Sequence, residues 1–263
     1  MIKKVFLQTQ FGTPHSWTNE YIEHLKSLEK YGWYWITFTP NQIPQTVNHI
    51  VIPMTLQEFD DLIYKKLGIR VGNYLDNGVP HRFISDFYVA FGKIFEDYIK
   101  EYDYWGHTNW DIVYGRLDKF LPDSELEKWD VWTDNVNSIN GIFTLYRNRE
   151  DINNLFKEIP DWETILIRHR LFGTDEYHMT EVMKKAELEG KVKYGHPQHY
   201  ALHSYDRLEQ HVPDVKLRML EDGSLYELFK DTAPPNWLHA TPFPGREIAY
   251  FHFIRTKKWP KMS

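Results

Sequence analysis

The chain has 263 residues, 42% of them hydrophobic, with a net charge of -6 and no cysteine. That length suits one large domain or two small ones with a sizeable core. The acidic balance excludes a global basic field for nucleic acid, the lack of thiols excludes disulfides and thiolate chemistry, and no apolar run reaches the roughly 18 residues of a membrane span. The N-terminus, Met1 to Gln8, carries two lysines but no long apolar region and no small-residue cleavage site, so it reads as a first strand, not a signal peptide. Ten tryptophans and 16% aromatics are assigned mainly to core packing.

Taken in order, Lys4–Thr9 is a short apolar strand that ends in a loop punctuated by Gly12 and Pro14. Helical spacing of Ile22, Leu25 and Leu28 predicts a helix over Thr18–Tyr31, stopped by Gly32. Trp33–Thr39 and His49–Pro53 read as strands. Thr55-Leu-Gln-Glu58 is a capping box before a helix with Phe59, Leu62, Ile63 and Leu67 on one face and Gly68 at its end. Asp86–Glu101 reads as a second amphipathic helix, and Tyr104–Thr108 as a buried strand that runs into Asn109-Trp-Asp111. In the second half the pattern predicts a strand over Ile142–Tyr146, a short helix over Arg149–Phe156, a helix from Asp175-Glu176 to Lys184, a loop at Ala233–Trp237 and a last strand over Glu247–Ile254.

The alternation of strand and helix argues for an α/β fold with a mainly parallel sheet in one continuous domain, 1–263. Ligands of such sheets bind outside the carboxyl ends of the strands, so the loops 9–15, 39–42 and 108–111 should share one rim. Alternate residues of an extended chain point the same way, so Asn109 and Asp111 can converge on a divalent cation that also holds a diphosphate. An Asx-rich turn closing a strand is the competing reading. Neither a Gly-x-Gly-x-x-Gly nor a P-loop motif occurs to hold phosphates instead.

These segments resemble a family of bacterial polysaccharide-locus proteins of GT-A glycosyltransferase type. Trp105-Gly-His-Thr-Asn-Trp-Asp111 resembles its Trp-Gly-x-x-Asp-x-Asp motif, Gln10-Phe-Gly-Thr-Pro14 its first-strand loop, Asn140-Gly-Ile-Phe-Thr-Leu-Tyr-Arg-Asn148 its Gly-x-Phe-Thr-Leu-Tyr-Arg-Asn segment, and Tyr250-Phe-His-Phe253 its Tyr-x-His-Phe. The resemblance implies a GT-A (Rossmann-like), mixed, mainly parallel sheet flanked by helices, with a nucleotide-binding half (1–121) and an acceptor-binding half (122–263). It implies a UDP- or GDP-sugar donor, a glycan acceptor, bound Mn²⁺ or Mg²⁺, and a cytoplasmic enzyme, peripheral to the inner face of the membrane.

Carried over residue by residue, Asn109, Asp111 and His252 hold the metal. The donor lies against Thr9, Gln10, Phe11, Gly12, Thr39, Arg82, Asp86, Asn109, Trp110, Asn140 and Gly141, with Arg255, Lys257 and Lys258 at the diphosphate. Asp175 and Glu176 face the acceptor as candidate catalytic carboxylates. The chain departs from the pattern at Asn109, which replaces an acid, at Phe83, which stands in place of a lysine beside Arg82, and at Pro40, which stands where an Asp is usual.

Alternatives stand beside these roles. His252 also reads as a core histidine, Asp175 as a helix cap, and 255–258 as a solvated basic tail. Loss of turnover through Asn109 would leave a nucleotide-sugar or carbohydrate-binding protein. The run His196-Pro-Gln-His199-Tyr-Ala-Leu-His203 admits a zinc hydrolase, although no Glu stands between its histidines as in His-Glu-x-x-His.

Overall fold

The computed structural model describes residues 1–71, 84–135, 137–167, 173–196, 203–205, 216–228, 246–253 and 260. Its frame is a seven-stranded sheet of order β3-β2-β1-β4-β7-β6-β8, with β1 at Lys4–Thr9, β2 at Trp33–Thr39, β3 at His49–Pro53, β4 at Tyr104–His107, β6 at Val131–Thr133, β7 at Thr144–Arg147 and β8 at Tyr194–Gly195. Strands β3, β2, β1 and β4 are parallel, and β7 runs antiparallel to both of its neighbours, β4 and β6. The sheet is therefore mixed, mainly parallel and flanked by helices, and strands from both halves of the chain enter it.

The three N-terminal strands have their predicted bounds; β1 and β2 bury bulky side chains on both faces, while β3, at the sheet edge, buries only His49. In β2, Trp33 and Trp35 face one layer with Phe6 and Tyr21, while Ile36 and Phe38 face the other with Leu7, Phe59 and Phe95. Helix α1 (Thr18–Lys26) is shorter than the predicted 18–31, and a 3₁₀ turn at Glu29–Tyr31 leads to Gly32 at φ 74. Helix α2 (Leu56–Leu67) forms its full capping box: Thr55 Oγ1 accepts from Glu58 N–H at 3.2 Å and Glu58 Oε2 accepts from Thr55 N–H at 2.7 Å.

The predicted 86–101 helix is broken. A 3₁₀ turn over Ser85–Ala90 passes into the short helix α3 (Phe91–Ile94). Aromatic packing overrides helix periodicity here. Phe95 stacks on Phe38 at 3.7 Å, and a Cβ on Gly92 would overlap the Trp105 ring. The second half departs further. Strand β5 (Ile112–Tyr114) and β6 carry too few residues for a periodic signal. The predicted last strand divides into β12 (Arg246–Ile248) and β13 (Tyr250–His252), which belong to different sheets. With β10 (Lys216–Met219) and β11 (Leu225–Leu228), β12 forms one small sheet; β13 pairs antiparallel with β5 and parallel with β9 (His203–Tyr205) in another. The predicted helix from Asp175 instead begins as a π-helix over Thr174–His178 and continues as α4 (Met179–Leu188). Among the described residues no helix is long and apolar enough to cross a membrane.

Candidate active site

The three predicted loops do share one rim. Gln10 N–H donates to the Phe38 carbonyl at 3.0 Å, and Thr39 Oγ1 donates to the Gln10 carbonyl at 2.5 Å. Asn41 Nδ2 donates to the Gly12 carbonyl at 2.7 Å, tying the loop after β1 to the loop after β2. On the other side, Gln8 Nε2 donates to the Asn109 carbonyl at 3.2 Å and Trp17 Nε1 to the Trp110 carbonyl at 2.9 Å. These bonds hold the 109–111 backbone against β1. A cleft of about 220 Å³ opens between the loops, lined by Thr9, Gln10, Tyr88, Asn109, Trp110 and Asp111, with the stacked rings of His15 and Trp17 at one wall. Phe11 packs on Phe59 instead, and Thr39 is fully buried as a brace.

Asp111 and His252 come from distant parts of the chain and meet. Their Oδ1 and Nε2 atoms are 3.2 Å apart, and both side chains are buried. The antiparallel pairing of β5 and β13 puts His252 opposite Ile112, and Phe253 N–H donates to the Asp111 carbonyl at 2.9 Å. Two ligands at right angles on an ion with bonds of ~2.0–2.2 Å stand ~2.8–3.1 Å apart, and the 3.2 Å between Asp111 and His252 is just beyond that, so a small shift would let this donor pair hold a small divalent cation. Among the described residues no group of three or more His, Asp or Glu side chains could hold an ion. A cation here would complete its shell from Asn109, phosphate oxygens and water. Arg82, Arg255, Lys257, Lys258 and His199 lie outside the described residues, as does the 233–237 loop. His196 is exposed.

A second polar cluster lies alongside. His107 is fully buried at the end of β4, with Nε2 3.6 Å from Asp175 Oδ2 and its ring stacked on Tyr88 at 4.7 Å. Asp86 is buried and accepts from Thr174 Oγ1 at 2.9 Å through Oδ1; among the described residues nothing hydrogen-bonds its Oδ2 or either His107 ring nitrogen. Burial pushes the Asp86 carboxyl up to about 6, with a further rise from the Asp175 charge and an opposing pull from the Thr174 hydroxyl. The π-helix brings Asp175 inward while Glu176 stays exposed, where its Oε1 accepts from Gly141 N–H at 3.3 Å. A Cβ at Gly141 would come within 2.7 Å of Asp175 Oδ2, so glycine permits this approach. Asp175 is not a helix cap: Gly173 occupies that place, and Asp175 Oδ1 accepts from its neighbour Glu176 N–H at 2.9 Å.

Asn140 sits in a third, closed network. Its Nδ2 donates to Asp134 Oδ1 and, at 3.2 Å, to the Tyr250 hydroxyl, while its Oδ1 accepts from Ile142 N–H at 3.0 Å. These bonds commit its side chain to bracing β13.

The sequence reading did not single out His15, Trp17, Tyr88 or His107. One of them carried a usable signal: His107 precedes Asn109 by two residues, on the same side of an extended chain. A family described as of unknown function (DUF6625) matches residues 7–262. No curated protein matches the chain. A crystal structure titled as an active-site mutant of LgtC aligns over 96% of this chain and 87% of that one, at 11% identity and TM-score 0.42, a likeness too slight to bear on what this chain does.

Proposed function

The chain belongs to a family of unknown function (DUF6625), and from the chemistry of its cleft we propose that it is a GT-A-type glycosyltransferase, moving a sugar from a UDP- or GDP-sugar to a hydroxyl of a glycan acceptor in surface polysaccharide biosynthesis. The observation that carries this reading is the 3.2 Å approach of Asp111 Oδ1 to His252 Nε2 at the rim of the parallel strands.

In this reading Thr9, Gln10 and Trp110 receive the nucleoside, and Asp111, His252 and Asn109 hold Mn²⁺ or Mg²⁺. The ion, when bound, supplies Lewis acidity to the leaving diphosphate. Arg82, Arg255, Lys257 and Lys258 add positive charge to the same group. The sugar extends toward Asp86, Gly141 and Asp175. Glu176, exposed beside Gly141, is the carboxylate that takes the acceptor's proton, and buried Asp175 orients sugar hydroxyls.

The neutral Asn109 favours one second reading, a nucleotide-sugar-binding protein without turnover. Titrating UDP and GDP into the protein with and without Mn²⁺, then following nucleotide release from a panel of donors, separates the two. Metal-dependent binding lost in both Asp111→Ala and His252→Ala is expected. Nucleotide binding indifferent to Mn²⁺ and to both variants would remove the metal from the reading.

A further inference from the structure

Tyr88 stands where the two polar clusters join. It lines the cleft that contains Asn109 and Asp111, and its ring lies on His107, the residue beside Asp175. The cleft it lines contains Asp111, and the His107 ring on which it stacks lies 3.6 Å from Asp175, so Tyr88 links the carboxylate at the diphosphate end with the one at the sugar end. The ring has little freedom, being stacked on His107 at 4.7 Å and set edge-on to Phe91 at 5.1 Å. The residue is nevertheless only half-buried, and among the described residues its hydroxyl makes no hydrogen bond. A fixed phenol with an uncommitted O–H, facing a cleft between two acids, is a hydrogen-bond donor awaiting a ligand acceptor.

We propose that Tyr88 is a catalytic residue whose hydroxyl donates a hydrogen bond to the phosphate oxygen that departs from the sugar. The inference rests on the sugar-transfer reading above. A donor molecule spanning Asp111 to Asp175 has its scissile bond between those acids, where Tyr88 lies. In the reaction the bond from the anomeric carbon to that phosphate oxygen breaks, and its electron pair goes to the oxygen. A new bond forms from the anomeric carbon to the acceptor oxygen, whose proton passes to Glu176. Tyr88 keeps its own proton throughout. As a phenol it is protonated at neutral pH, a donor whose bond strengthens as charge builds on the departing oxygen.

The test is Tyr88→Phe, which keeps the ring and its stacking. Wild type and variant are compared for thermal midpoint, for UDP and GDP affinity with Mn²⁺, and for nucleotide release from UDP-glucose, UDP-galactose, UDP-N-acetylglucosamine and GDP-mannose with and without added glycan. The expected result is a fall of about 100-fold in kcat, with donor KM and thermal midpoint unchanged and UDP or GDP affinity lowered, because the oxygen that departs is the terminal oxygen of the free diphosphate. An unchanged kcat would overturn the Tyr88 role and leave sugar transfer standing. A raised donor KM without a fall in kcat would overturn it too, making Tyr88 a binding residue. Failure of the wild type to release nucleotide from any donor would sink the transfer reading, and Tyr88 with it.

Discussion

Two buried polar clusters stand behind the residues that line the cleft, one through Tyr88 and one through β13, and one is finished while the other is not. In Asp134–Asn140–Tyr250 the donors are matched to acceptors: Tyr250 donates to Asp134 Oδ2 at 2.5 Å, and Asn140 serves Asp134, Tyr250 and the Ile142 N–H. In Asp86–His107–Asp175 the atoms are equally buried, yet Asp86 Oδ2 and both His107 nitrogens lack a hydrogen-bond partner among the described residues. An unsatisfied buried polar group costs about 1–3 kcal/mol, so a fold that keeps several in one place holds them for something else to satisfy. The closed cluster braces β13, and with it His252. The open cluster is the one to interrogate with ligands.

The largest expected effect comes from opening the closed cluster. Asn140→Ala removes one of the donors to Asp134 and the acceptor of the Ile142 N–H, and should destabilise the fold by about 3 kcal/mol, read by urea denaturation. A loss below ~1 kcal/mol would mean the two clusters do not differ as argued.

Acid should act on the histidines that are held neutral. Burial lowers His24 to about 4, and its Nε2 accepts the Tyr114 N–H at 3.0 Å, a bond only the neutral ring can make; burial lowers His49 to about 4 as well. Their folded values lie below the unfolded one, near 6.5, so their contribution is whole above pH 6.5 and drains away as pH falls through about 4. Stability measured at successive pH values should decline over that window by on the order of 3 kcal/mol per histidine. His24→Gln should flatten its share.

Asp86 carries the opposite sign. Its folded value, about 6, is above the unfolded carboxylate value, so its contribution is best below pH 4 and is lost as pH rises through about 6. Asp86→Asn should therefore raise stability at pH 7.5 by about 2 kcal/mol while impairing donor turnover. A stability loss in this variant would show that Asp86 belongs with the closed cluster. The smallest effect on stability is expected for Gly141→Ala, about 1 kcal/mol, since the nearest atoms to the new Cβ are side-chain atoms of Asp175 and Glu176 and none is backbone. Transfer should fall more than stability does, as both acids must shift. Unaltered transfer kinetics would count against their role.

Much of the site was legible from residue types and short spacings. The rim formed by the loops after β1, β2 and β4 follows from the alternation of strand and helix, Asn109 and Asp111 are named from their two-residue spacing, and His252 is named only through the family resemblance; the structure brings Asp111 to His252. Helix 86–101 was misjudged because aromatic packing of Phe87, Phe91 and Phe95 against the sheet outweighs helical spacing, and the division of the last strand at Ala249 has no local mark. Asn140 was assigned to the donor by motif position, whereas its hydrogen bonds run inward to residues distant in sequence.

What the sequence determined by itself was local: the bounds of β1, β2, β3 and α2, the capping box at Thr55, and the chemical identity of the rim residues. Those depend on interactions a few residues long. Only the tertiary structure decided the antiparallel course of β7, the approach of His252 to Asp111, the enclosure of His107 by Tyr88 and Asp175, and the closure of the Asn140 network. Each of these joins segments far apart in the chain, where burial and pairing geometry, not local propensity, select the partner.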